Sequence, residues 1–231
     1  MTQPAVAVVT GAGSGIGRAV AHRLAQDGMR VLAAGRTVET LRETAGQHPA
    51  IEPAVTDISS EQAVEALASA AIRRGRVRAW VNCAAVVEPA PFAELTPEQW
   101  DRVLDVNLRG TYLCTRAAFL AMKATGGGTI LNLASLSGVA NVEKFPGLSA
   151  YNVSKAGVVA LSEAVALEGR DHDVRCICLS PGAVDTEMLR RAAPHLNPGV
   201  TPEDVAAIVA FLITDAAAPL TGVNIPIFSN E

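Results

Sequence analysis

Tyr151 and Lys155 lie four residues apart in a chain that holds two tyrosines and three lysines. The residues that follow Gly157, VVALSEAVALE, repeat apolar positions at helical spacing without a breaker, so both side chains are expected on one helix. Positions four apart share a helix face, which points the phenol and the ammonium the same way. A free phenol titrates at about 10, too high for proton exchange at neutral pH. A neighbouring ammonium favours the phenolate, and the pair then becomes a group that gives a proton to an oxygen or takes one away. The plainer alternative is a packed tyrosine beside a solvated lysine, and the rest of the chain must decide between the two.

A second cluster lies near the start. The run Thr10-Gly11-Ala12-Gly13-Ser14-Gly15-Ile16-Gly17 joins an apolar stretch, AVAVV, to the helical pattern GIGRAVAHRLAQDG. Glycine lets a backbone turn tightly and lets a pyrophosphate approach the N–H groups at a helix N-terminus, where the dipole favours anions. A nucleotide is the expected ligand, with a merely flexible loop as the alternative. Its type is set at the end of the second apolar run, RVLAAG. A carboxylate there selects NAD by binding the ribose 2′-hydroxyl, and a basic group accepts a 2′-phosphate. Here Gly35 and Arg36 occupy the turn, so NADP(H) is favoured over NAD(H). Ser14, where a basic residue could add a second phosphate contact, argues the other way.

The elements that must position these residues alternate from end to end. Strand-like runs are AVAVV, RVLAAG, IEPAVTD, VRAWVNCAA, GGGTILNLAS, VRCICLSPG and VNIPIF. Helical patterns separate them. Ser59 and Gln62 are placed as one capping box, Thr96-Pro97-Glu98-Gln99 as another, and Thr201-Pro202-Glu203-Asp204 opens a further helix. The pattern after Thr96 reads as one long helix towards Lys123. Strands joined through helices imply parallel pairing by right-handed crossovers. The expectation is one α/β, doubly wound Rossmann domain over residues 1–231, with a mostly or fully parallel sheet of about seven strands.

Composition narrows the function. Hydrophobic residues make up 49% of the chain and charged residues 18%, which suits a large packed core rather than disorder. The net charge of −4 and the lack of a basic stripe give no reason to expect nucleic acid. No run of eighteen apolar residues suggests a membrane span, and MTQPAVAVVTG lacks the features of a signal peptide, so a cytoplasmic protein is expected. Cys83, Cys114, Cys176 and Cys178 form no C-x-x-C pair and read as buried free thiols. His22, His48, His172 and His195 show no ligand spacing, and no metal is expected.

Taken in order, these motifs resemble the short-chain dehydrogenase/reductase family, and 3-oxoacyl reductase-like members in particular. Thr10-Gly11-x-x-x-Gly15-Ile16-Gly17 is similar to the family's cofactor motif, and Tyr151-x-x-x-Lys155 to its catalytic one. The resemblance further implies that Asp57 contacts adenine, that Asn82 and Ala84 belong to the stretch ending the fourth strand, and that Asn107 joins the catalytic group. Pro181, Gly182, Val184 and Thr186 resemble the segment that holds the nicotinamide carboxamide, followed by a short substrate lid at about 187–200. Ser135, with Gly138 three residues on, matches the catalytic serine. Ser137 is the alternative, though its hydroxyl would fall past the strand end. The gap from Ser135 to Tyr151 is long, with about three residues inserted in VANVEKFPGLSA, which makes Phe145 and its neighbours candidates for specificity.

The implied function is NADP(H)-dependent interconversion of a ketone and a secondary alcohol. Tyr151 acts as general acid/base, Ser135 holds the reacting oxygen and Lys155 grips the nicotinamide ribose. Asn107 holds a water linked to Lys155. The implied partners are a small ketone or alcohol substrate and further copies of the chain, as a dimer or tetramer. The alternatives are an NAD-linked alcohol dehydrogenase using the same residues, and a catalytically idle nucleotide-binding regulator. The C-terminal stretch TGVNIPIFSNE lacks the family's frequent diglycine, which leaves the last strand open.

Overall fold

The computed structural model describes residues 4–142 and 144–228. Its strands are β1 (Ala5–Thr10), β2 (Arg30–Gly35), β3 (Ile51–Val55), β4 (Arg76–Asn82), β5 (Gly128–Leu133), β6 (Val174–Pro181) and β7 (Asn224–Ile227). Between them run α1 (Gly15–Gln26), α2 (Val38–Ala45), α3 (Glu61–Arg74), α4 (Pro97–Leu104), α5 (Thr111–Thr125), α6 (Ser149–Gly169), α7 (Glu187–Ala192) and α8 (Pro202–Ile213). The strands form one sheet in the order β3-β2-β1-β4-β5-β6-β7, and every neighbouring pair is parallel. This is a fully parallel, doubly wound Rossmann sheet. β7 forms without the diglycine. Pro53 and Pro226 sit on the edge strands β3 and β7, where a missing N–H costs least, and Pro181 ends β6.

Alternation along the central strands feeds two cores. Ala7 and Val9 of β1 pack with Ala21 and Leu24 of α1 and Val205 and Val209 of α8. Val6 and Val8 point the other way, towards Val64 and Leu67 of α3 and Leu113 and Ala118 of α5. Both faces of the sheet are therefore covered, as a parallel sheet requires. The chain leaves β1 in one direction to build β2 and β3, then returns to build β4 on the other side. The carboxyl ends of β1 and β4 diverge at that reversal, and a crevice opens there.

Local signals hold with two corrections. Thr96 and Thr201 are capped reciprocally by Gln99 and Asp204, as expected. The cap of α3 is Ser60, not Ser59: its hydroxyl accepts from Ala63 N at 3.3 Å. Ser59 instead gives its backbone N–H and its hydroxyl to Asp57, so no box with Gln62 forms. The expected long helix after Thr96 is also broken. Asp105–Gly110 widens into a π-turn between α4 and α5, and the Thr111 hydroxyl donates to the carbonyl of Asn107 at 2.7 Å. Gly110 lies tight against Ile58, where a Cβ would come within 2.9 Å of the Ile58 side chain.

The cysteines are free, and Cys114, Cys176 and Cys178 are buried in the core. Burial pushes the Cys114 and Cys176 thiols up to about 12 and Cys178 up to about 11, from an ordinary 9.0, and Cys83, half-buried rather than buried, is also pushed up to about 12. The folded chain keeps protons that the unfolded chain sheds above that ordinary value. The stability is therefore present below it and lost as pH climbs through the folded values. Lys155, which burial pulls down from 10.5 to about 8, works in the opposite sense across its own window and offsets one thiol. Urea unfolding should show a decline on the order of 1 kcal/mol per pH unit per uncompensated thiol between about pH 9 and pH 10.5. Cys114→Ala should remove one thiol's share of that decline, and a wild-type profile level across this range would contradict it.

Candidate active site

A cleft of about 1050 Å³ lies over the carboxyl ends of the central strands. One end is built by the turn from β1 to α1. Gly11 and Gly15 adopt φ of 65° and 50°, which L side chains rarely reach. A Cβ on Gly11 would stand 2.8 Å from the Ala84 backbone, and one on Gly17 would stand 2.3 Å from the Gly11 carbonyl oxygen. The turn is thus folded tightly on itself and on the loop after β4, which leaves the start of α1 open to the cleft. Ser14 caps no helical N–H with its side chain. Two ties were not anticipated. Arg18 reaches from α1 to Thr44 and Glu43 of α2, and the Thr10 hydroxyl accepts from Ala84 N.

Gly35, Arg36, Thr56 and Asp57 line the same end. Arg36 is exposed at the end of β2. Hydrogen bonds from Ser59 hold the Asp57 carboxyl below the usual range, with a smaller contribution from the Arg36 charge. The backbone cradle, the open helix start and the guanidinium together fit a dinucleotide whose phosphates sit on the glycine turn.

The other end of the cleft brings Ser135, Tyr151 and Lys155 together. Ser135 stands just beyond β5 and starts a short turn, Leu136–Gly138. A Cβ on Gly138 would lie 2.5 Å from the Lys155 backbone, so glycine lets this turn lie flat on α6. Ser137 lines the cleft as well, and its backbone N–H donates to the Ser135 hydroxyl at 3.2 Å. Lys155 is buried, its Nζ donating to the Leu133 carbonyl at 2.7 Å and lying 5.7 Å from the centre of the Tyr151 ring.

The electrostatics differ from the expectation for a phenol beside an ammonium. Burial pushes the Tyr151 phenol above its ordinary value, and the Ser135 hydroxyl only partly pulls it back. Burial pulls Lys155 down to about 8, while the neighbouring Cys178 and Cys83 sulfurs act in the opposite direction. At neutral pH the phenol therefore keeps its proton and the amine keeps its charge. The phenol is set to give up a proton, not to take one, at neutral pH.

Asn82 and Asn107 do not line the cleft. Asn107 is buried. Its Oδ1 accepts from Val86 N, and its Nδ2 donates to the Val86 carbonyl and to the Ser154 hydroxyl. Both amide donors are spent in tying the π-turn to the loop after β4 and to α6. Asn82 faces α5 and bonds Asn132, Thr115 and Trp80. Asn132 in turn bonds Ser162 of α6. Sequence reasoning missed this buried network, although an asparagine inside the apolar run TILNL was its signal.

Ile16, Ala84, Pro181, Gly182, Val184 and Thr186 all reach the cleft. Thr186 caps α7 through Leu189 N. The segment over 187–200 leaves and returns at one neck, where Val184 bridges Val200 and Asp185 N donates to the Val200 carbonyl. Among the described residues no group of three or more His, Cys, Asp or Glu could hold a metal ion. No described helix is long and apolar enough to cross a membrane.

Known proteins share this fold. A family model described as short chain dehydrogenase matches residues 5–197. The (3R)-3-hydroxyacyl-CoA dehydrogenase of Rattus norvegicus is 36% identical, over 96% of this chain and 94% of its own length. A crystal structure of a variant actinorhodin polyketide ketoreductase with NADPH superposes with a TM-score of 0.90 at 31% identity, covering 99% of this chain and 98% of that one. The 3-ketoacyl-(acyl-carrier-protein) reductase of Brucella melitensis, complexed with NADH, gives 0.88 at 33% identity, covering 97% of each chain. With this fold, a cradle shaped for a dinucleotide and these relatives, the chain belongs to the short-chain dehydrogenase family, a family of nicotinamide-dependent oxidoreductases.

Proposed function

We propose that the protein interconverts a ketone and a secondary alcohol with NADP(H), using Tyr151 as the group that exchanges the proton. The observation that carries this reading is the convergence of Ser135, Tyr151 and the buried Lys155 at one end of a cleft whose other end is a glycine cradle. A nicotinamide cofactor held on the glycine cradle would supply the hydride that reduction needs, or take up the one that oxidation releases. In reduction the carbonyl π-bond breaks, and its oxygen takes the proton of the Tyr151 phenol. Ser135 donates a hydrogen bond to the same oxygen as its charge grows. Lys155 stabilises the phenolate left behind, and its remaining N–H groups would hold the nicotinamide ribose. Asn107 positions the others by holding α6 to the loop after β4. An idle nucleotide-binding regulator would have no use for a buried lysine beside a phenol, which burial makes costly.

The cofactor preference rests on Arg36, which stands at the end of β2 where no carboxylate replaces it. Relatives are recorded with NADPH and with NADH, so the family accommodates both.

Tyr151→Phe should lower kcat for ketone reduction by about 10²- to 10⁴-fold and leave the Kd for NADPH unchanged. For the wild type, reduction should slow as pH rises through about 8, where Lys155 loses its charge. A variant with wild-type kcat, or a rate that climbs through that range, would overturn the assignment. Arg36→Ala should raise KM for NADPH by about tenfold and change KM for NADH by less than about twofold. Steady-state rates with both cofactors read this directly, and a wild-type preference for NADH would reverse the cofactor assignment.

A further inference from the structure

The long connection from Ser135 to Tyr151 is built rather than loose. Beyond the short turn at Leu136–Gly138, Lys144 Nζ reaches back to the carbonyls of Leu136 and Val139 at 3.3 and 2.5 Å. At the far end Gly147, with φ of 81°, accepts from Ala90 N at 3.0 Å, which pins the connection to the loop after β4. Between these anchors Phe145 faces the cleft, half-buried.

Across the cleft stands the 187–200 segment, closed at its neck by the Val184–Val200 bridge. Past α7 it carries His195, exposed and also lining the cleft. The two rings meet edge to face, with centroids 6.1 Å apart and planes at 67°. They are the one aromatic pair that joins these two walls among the described residues. Apolar side chains from both walls also line the cleft, among them Val142, Leu148 and Met188.

We propose that Phe145 and His195 form an aromatic latch that holds the 187–200 segment over the substrate end of the cleft and limits the bulk of the ketone admitted. The inference rests on the reading of the cleft as a ketone and alcohol site, and it adds which residues set the size limit. Phe145 and His195 are specificity residues and take no part in the proton exchange. An edge-to-face pair shifts an open–closed equilibrium by roughly two- to tenfold, enough to bias a segment whose neck is closed by one bridge. The substrates favoured by the wild type are then compact ketones with apolar substituents that fit beneath the latch. Bulkier fused-ring ketones meet the Phe145 ring.

The test is a set of four variants, Phe145→Ala, His195→Ala, the double variant and His195→Phe, assayed with cyclohexanone and with a fused-ring ketone, 2-decalone. Each single alanine variant should raise the ratio of kcat/KM for 2-decalone over cyclohexanone by about tenfold. The double variant should go no more than about twofold further, because both substitutions break one contact. His195→Phe keeps an aromatic partner and should keep the wild-type ratio. A readout free of chemistry runs alongside: trypsin cleavage after Arg190 and Arg191 of α7, followed by mass spectrometry. It should quicken by roughly two- to tenfold in both single alanine variants and no further in the double. Unchanged ratios and cleavage, or single effects that multiply, would overturn the latch. If Phe145→Ala does not hold NADPH, the His195 variants decide. If the wild type reduces no ketone, the proposed function falls, and the cleavage pattern still decides whether the latch exists.

Discussion

A lysine ammonium buried at the carboxyl end of a central strand sets the terms for everything around it. Lys155 is nearly inaccessible, and its Nζ has one short hydrogen bond, to the Leu133 carbonyl. Taking a cation out of water is costly unless partners replace the solvent. The amine answers by giving up part of its basicity, so it can lose its charge within reach of physiological pH. The same burial keeps the Tyr151 phenol protonated at neutral pH.

Holding a lysine there takes the whole architecture. α6 must lie close along β5 and β6, which the Gly138 turn permits by resting on the helix backbone. Asn107 ties α6 to the π-turn and to the loop after β4, and the Asn82–Asn132–Ser162 chain ties the sheet to α5 and α6 beneath. Buried polar networks of this kind are worth keeping only when every member is satisfied, and they then fix one register of helix on sheet. The glycine turn is placed by the same sheet, through the switch between β1 and β4, so both ends of the cleft refer to one rigid frame.

Much of this was legible in the sequence because the signals are local. Period-two and period-3.6 patterns gave the strands and helices, the threonine boxes gave two helix starts, and the glycine run and Tyr-x-x-x-Lys gave the two ends of the cleft. What stayed hidden depends on contacts between distant segments. The cap at Ser60 replaced the one at Ser59 because Ser59 is drawn to Asp57. The π-turn at Asp105–Gly110 has no propensity signature, since it answers to the packing of Gly110 on Ile58. Asn82 and Asn107 carry residue types suited to a cleft, yet their side chains turn inward. Which face an asparagine chooses is decided by its partners across the sheet and not by its neighbours in the chain. The meeting of Phe145 with His195 joins segments fifty residues apart and could not be read from either alone.

The lowered pKa of Lys155 is easy to observe, because the chain has only three lysines. With carbon-13 at lysine Cε, a pH titration followed by NMR gives a separate curve for each. The resonance lost in Lys155→Met should titrate at about 8. A midpoint for that resonance at the ordinary 10.5 would mean that the amine is solvated and the site is not the one described.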